Sequence, residues 1–110
     1  MEDKTEELQA VSMQIILYAG DARAKVADAL ASAKAGDIEA GRAQLEEARG
    51  MIAEAHRAQT GVIQSEADGD TYPYSLLFAH AQDTLMTNDL ETRIAAQLID
   101  IIELATKKEA

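Results

Sequence analysis

The chain has 110 residues, 20 acidic and 10 basic side chains, and a formal charge of -10. That length is one ordinary domain, so a multidomain enzyme is excluded. No cysteine is present, which removes disulfide scaffolds, thiolate zinc sites and cysteine nucleophiles. Aromatics are only 4% and there is a single proline, Pro73. With alanine at 22 positions, this composition predicts helices rather than strands.

The chain opens Met1-Glu2-Asp3-Lys4, acidic and polar, without the basic and apolar regions of a signal peptide. The most apolar short run, Ile15-Ile16-Leu17-Tyr18-Ala19, is far too short to span a bilayer. A cytoplasmic protein without direct membrane insertion is expected. The acidic balance also speaks against nucleic-acid binding, which needs a basic footprint.

Two breaks divide the chain. At Gly36-Asp37, glycine can close one helix at C′ and aspartate can cap the next. At Asp68-Gly69-Asp70-Thr71-Tyr72-Pro73, proline pushes Tyr72 out of the helical region, and Ser75 or Thr71 can cap the third helix. The segments so defined predict three helices at about 4–35, 38–67 and 74–107 in a single domain, 1–110.

In the first, Leu8, Val11, Ile15, Ala19, Ala22, Val26, Leu30 and Ala33 step by three or four. In the second, Ile38, Gly41, Leu45, Ala48, Ile52, Ala55, Gln59 and Val62 alternate the two steps strictly, the 3.5 period of coiled-coil-like packing. The first connection is so short that these two helices run antiparallel. Gly20, Gly41, Gly50 and Gly61 lie inside the helices, and their cost relative to alanine predicts close helix approach or a bend.

The third segment carries two stripes. One is Leu77, Ala81, Leu85, Asn88, Ala95, Leu98, Ile102 and Ala105; the other is Leu76, His80, Asp83, Thr87, Leu90, Ile94 and Ile101. A three-helix monomer needs one apolar stripe per helix. Either another copy of the chain covers the second, or both belong to one broad face.

No GxSxG, HExxH or GxxxxGK[ST] pattern occurs, and neither histidine has the Glu-x-x-His spacing of a di-iron bundle. His56, between Glu54 and Arg57, reads as an exposed or half-exposed helix residue. His80 has small neighbours, Ala79 and Ala81, and Asp83 three residues on. A neutral imidazole left accessible in this way is a nucleophile suited to covalent phosphoryl carriage. A polar core or surface histidine is the plain alternative. Gln82 points off the His80 face of an ideal helix.

Asp83 interrupts an apolar stripe, so if buried it must be paired, protonated or metal-bound. On a three-fold axis, three copies of it would converge. Charges about 4 Å apart repel by about 4 kcal/mol per pair at an effective dielectric near 20, so three pairs cost about 12 kcal/mol. Protons or a hard divalent ion such as Mg²⁺ would have to neutralise them.

The chain resembles the A component (enzyme IIA) of the lactose/cellobiose type of the bacterial sugar phosphotransferase system. The resemblance runs through Ala19-Gly20-Asp21-Ala22-Arg23, Ala35-Gly36-Asp37 and Glu54-Ala55-His56-Arg57-Ala58-Gln59-Thr60. It peaks at Ser75-Leu76-Leu77-Phe78-Ala79-His80-Ala81-Gln82-Asp83 and Leu85-Met86-Thr87. It implies an all-α fold: three long antiparallel helices per subunit, assembling into a homotrimer. It implies that His80 accepts phosphate from the phosphohistidine carrier HPr and passes it to the B component during uptake of a lactose- or cellobiose-type β-glycoside. It implies that Asp83 binds one Mg²⁺ shared by three subunits. Many members carry a second histidine where this chain has Thr84. A histidine-phosphotransfer signalling module and a non-catalytic oligomerisation bundle are the alternatives. Which sugar is carried is not written in this component.

Overall fold

A computed structural model describes residues 2–109, with side chains from 4 to 107. Three helices follow one another: α1 (Glu2–Lys34), α2 (Ile38–Ala67) and α3 (Leu76–Glu109). They form a rod of 63 × 20 × 18 Å. The all-α, three-helix expectation holds among the described residues.

Chemistry at the breaks sets the helix ends. Gly36 takes φ +99°, its N–H bonds to the Ala33 carbonyl at 3.0 Å, and the Asp37 N–H bonds to the Ser32 carbonyl at 2.9 Å. This is a Schellman closure, and it requires a residue that tolerates positive φ. The Asp37 carboxylate then accepts from the Ala40 N–H at 3.0 Å, capping α2 one residue after α1 has closed. Gly69, φ +109°, closes α2 in the same way. The start of α3 differs from expectation: it lies at Leu76, not at 74. Ser75 is the cap, its Oγ accepting from the Phe78 N–H at 3.0 Å, so Tyr74 remains outside the helix and 84% exposed.

Interhelical pairs fix the directions. Asn88 donates to the Ala19 carbonyl at 2.8 Å, and Arg23 meets Glu91 at 3.7 Å, so α1 and α3 run parallel. Lys25–Glu47 at 3.0 Å and Ser32–Gln44 at 2.7 Å show α2 antiparallel to α1. Arg42 reaches Asp100 and Glu103, both at 3.0 Å, across the α2–α3 seam.

The core is small-residue rich: Ala19, Ala22, Ala29, Ala33, Ala48, Ala55, Ala81 and Ala95 pack around Ile15, Val26, Leu45, Ile52, Leu85 and Ile99. Alanine at so many contacts lets the backbones approach closely. Among the glycines, the approach is closest at Gly41. A Cβ there would lie 2.9 Å from the Ala29 carbonyl oxygen and 3.3 Å from the Ala33 Cβ. The expectation of close approach fails at Gly20, Gly50 and Gly61, whose Cβ positions meet nothing within 4 Å; nothing in the structure explains those three.

On α3 the core stripe also needs correction. Ala81, Leu85, Asn88, Thr92, Ala95 and Ile99 are buried, whereas Leu98 is 41% exposed and Ala105 is exposed. The expected stripe passed over Thr92, stepping from Asn88 directly to Ala95. Its hydroxyl donates to the Asn88 carbonyl at 2.7 Å, which satisfies it inside the core. Counting through Thr92 leads to Ile99 rather than Leu98.

Candidate functional site

The cap at Ser75 determines where His80 and Asp83 stand, in the first two turns of α3. Both are exposed. They are three residues apart, a rise of about 4.5 Å along the helix. Among the described residues, no side chain hydrogen-bonds the His80 ring or lies within ion-pair distance of the Asp83 carboxylate. Thr84 turns away from the ring and donates to the His80 carbonyl at 2.9 Å; Thr87 donates to the Asp83 carbonyl at 2.8 Å. Gln82 is half-buried and makes no bond to His80, as its position on the helix predicts.

The second stripe of α3 is not part of the core. Leu76, Met86, Leu90, Ile94, Leu98, Ile101 and Leu104 are all between 41% and 73% exposed, on the same side of the helix as Asp83 and Thr87. The reading of one broad intrachain face is therefore overturned. Stepped at 100° per residue, Ala81, Thr92 and Ile99 point one way and Asp83, Leu90 and Ile101 point nearly opposite. His80 borders that outer face on the flank nearer α1, because Glu91, on the same flank, meets Arg23.

No group of three or more potential ligands among the described residues of one chain could hold a metal ion. Asp83 supplies a single carboxylate, so it fits a hard cation only if other copies contribute the same donor.

Two features escaped the sequence. The Arg42 guanidinium forks onto Asp100 and Glu103, and its hydrogen bonds hold the Glu103 carboxyl below its ordinary pKa. His56 is half-exposed, as expected, but its partner was not foreseen: its Nε2 lies 3.3 Å from Asp89 Oδ2. No local spacing signals either pair, since the partners are at least 33 residues apart.

No helix among the described residues is long and apolar enough to cross a membrane. A family model described as PTS system, lactose/cellobiose-specific IIA subunit, matches residues 10–103. The lactose-specific EIIA component of Staphylococcus aureus (strain N315) is 44% identical over 95 residues, 86% of this chain and 92% of that protein. The crystal structure of the cellobiose-specific enzyme IIA from Bacillus anthracis superposes with a TM-score of 0.88 at 37% identity, covering 92% of this chain and 93% of that one. The IIA(chitobiose) of the Escherichia coli phosphotransferase system, solved in complex with HPr, gives a TM-score of 0.76 at 34% identity, covering 90% of this chain and 96% of that one. The match runs through all three helices and takes in both His80 and Asp83, and on it the chain belongs to the lactose/cellobiose-specific IIA subunit family of the phosphotransferase system.

Proposed function

We propose that His80 is the residue on which this chain, as a phosphoryl carrier in sugar uptake, holds its phosphoryl group. The observation carrying this reading is an exposed imidazole without a side-chain partner, in the family's His80-Ala81-Gln82-Asp83 segment. The donor is HPr, the protein with which the Escherichia coli relative was solved. In the transfer, Nε2 of His80 attacks the phosphorus of the donor's phosphohistidine in line. A P–N bond forms to His80 as the donor's P–N bond breaks; the phosphorylated His80 ring gives up its Nδ1 proton to solvent and the departing donor imidazole takes one up, so both rings end neutral and the protons balance. Catalysis here is positioning and electrostatics. Side chains on a helix lean over the preceding turn, so the phosphoryl group sits toward the N-terminal, electropositive end of α3. The group then passes to the B component of the same system. Lactose, cellobiose and chitobiose, named for the relatives, are all compatible as the sugar.

The outer face of α3 is the homotrimer contact in this reading. Apolar side chains exposed along most of α3 need cover, and a second and third copy of the same stripe supply it. Asp83 of each copy would then hold one shared Mg²⁺, whose contribution is to neutralise three converging carboxylates. Location in the cytoplasm follows from the role of the relay.

The test is incubation with phosphoenolpyruvate, enzyme I and HPr. An acid-labile phosphoryl group should appear on the wild type and be absent from His80→Gln. Label persisting in that variant would refute the assignment, and absence of label from the wild type would refute the carrier reading.

A further inference from the structure

Away from His80, α2 and α3 line an open cavity of 380 Å³ that the carrier role does not use. Ile52 and Ala53 form its apolar wall, and Arg49, His56, Asp89 and Arg93 supply its polar groups. Asp89 is the anchor. Its side chain is 16% exposed, its Oδ2 lies 3.3 Å from His56 Nε2, and its Oδ1 lies 3.3 Å from Arg93 Nε. An ionised carboxylate only accepts, so His56 Nε2–H donates to it, and the other ring nitrogen, Nδ1, carries the free lone pair. Thr92 also lines the space, but its hydroxyl is committed to the Asn88 carbonyl at 2.7 Å.

The charge balance of this lining is unusual for the chain. Arg49 and Arg93 against Asp89 leave +1, in a protein of formal charge -10. Arg93 spends only its Nε on Asp89, and Arg49 makes only a 3.5 Å contact with Glu46. Arg42, by contrast, is engaged with two acids. Both arginines therefore line the cavity, from two helices, with guanidinium donors to spare, and the His56 ring in the same lining keeps one nitrogen acceptor.

We propose that this α2–α3 cavity binds inorganic phosphate as hydrogenphosphate. The Nη groups of Arg49 and Arg93 donate to its unprotonated oxygens, and its P–OH donates to Nδ1 of neutral His56. The lone acceptor sets the preference. Sulfate has the same shape and charge but no proton, so it places an oxygen lone pair against Nδ1. A phosphate monoester, doubly ionised in mild alkali, meets the same mismatch. The site stands apart from His80 and does not depend on the carrier reading.

The test is NMR titration of the full-length chain at about pH 8, following the His56 ring nitrogens and the Arg49 and Arg93 Nε signals. Sodium phosphate should shift these signals saturably, with half-saturation in the millimolar range expected for two solvent-accessible charge-assisted contacts. Sulfate and a hexose 6-phosphate should each bind at least fivefold more weakly. Arg49→Gln and Arg93→Gln, both at exposed positions, should each weaken phosphate at least fivefold, while His80→Gln should leave it unchanged. Non-saturating shifts, equal binding of sulfate, or unchanged affinity in both arginine variants would overturn the proposal.

Discussion

Gly41 and Gly50 lie in the same helix and should respond oppositely to the same added methyl group. At Gly50 the built Cβ meets nothing within 4 Å, so alanine contributes its helix propensity without obstruction. That gain is about 0.8–1 kcal/mol in a helix interior. At Gly41 the Cβ would stand 2.9 Å from the Ala29 carbonyl oxygen, a backbone atom held within α1 that cannot rotate aside. The helices must part by a few tenths of an ångström, loosening the contacts of Ala29 and Ala33. Overpacking of this kind costs about 1–3 kcal/mol, which outweighs the propensity gain. Gly50→Ala should therefore be stabilised by up to about 1 kcal/mol and Gly41→Ala destabilised by up to about 2 kcal/mol. Urea denaturation at one fixed chain concentration measures both, because self-association would make stability concentration-dependent. A Gly41→Ala variant as stable as Gly50→Ala would refute the close packing of α1 on α2 at this position.

Asp83→Leu removes a charge from an exposed apolar face, and should give an assembly indifferent to chelator where the wild-type assembly is weakened by it; sedimentation with and without chelator reads this, and a variant that dissociates would contradict an axial Asp83. His56→Ala should leave phosphoryl transfer nearly intact, because His56 is anchored to Asp89, whereas His80→Ala should abolish it without loss of helicity by circular dichroism. A trimer would carry 3 × -10 = -30, so the rate of transfer from HPr should fall as salt rises through about 0.15 M, and a flat profile in stopped-flow mixing would exclude electrostatic steering. Because Arg42 depresses the Glu103 carboxyl, its contribution is present above the ordinary carboxylate range and is lost as pH falls through the depressed value; thermal melts of Arg42→Met and wild type should thus differ at neutral pH and converge in acid.

By itself the sequence determined what is local. Gly36-Asp37 spells a helix end and a helix start because a positive φ and a side-chain acceptor are properties of single residues. The α2 stripe from Gly41 to Val62 is legible for the same reason, since a helix converts spacing directly into direction. The signature around His80 let a candidate for the phosphoryl-accepting residue be named, and the interrupted apolar stripe singled out Asp83. Tertiary structure decided whatever depends on which helix lies opposite. Thr92 is core and Leu98 is not, because a hydroxyl satisfied by its own backbone can be buried, and spacing alone does not show which polar side chains are satisfied in that way. Four glycines look alike in sequence, yet only Gly41 faces a carbonyl across a helix contact. The pairs His56–Asp89 and Arg42–Glu103 join residues 33 and 61 positions apart. A period of 3.6 says which side of a helix a residue occupies, but not what stands across from it; only the packing of α2 against α3 brings an imidazole, a carboxylate and two guanidinium groups to the same cavity.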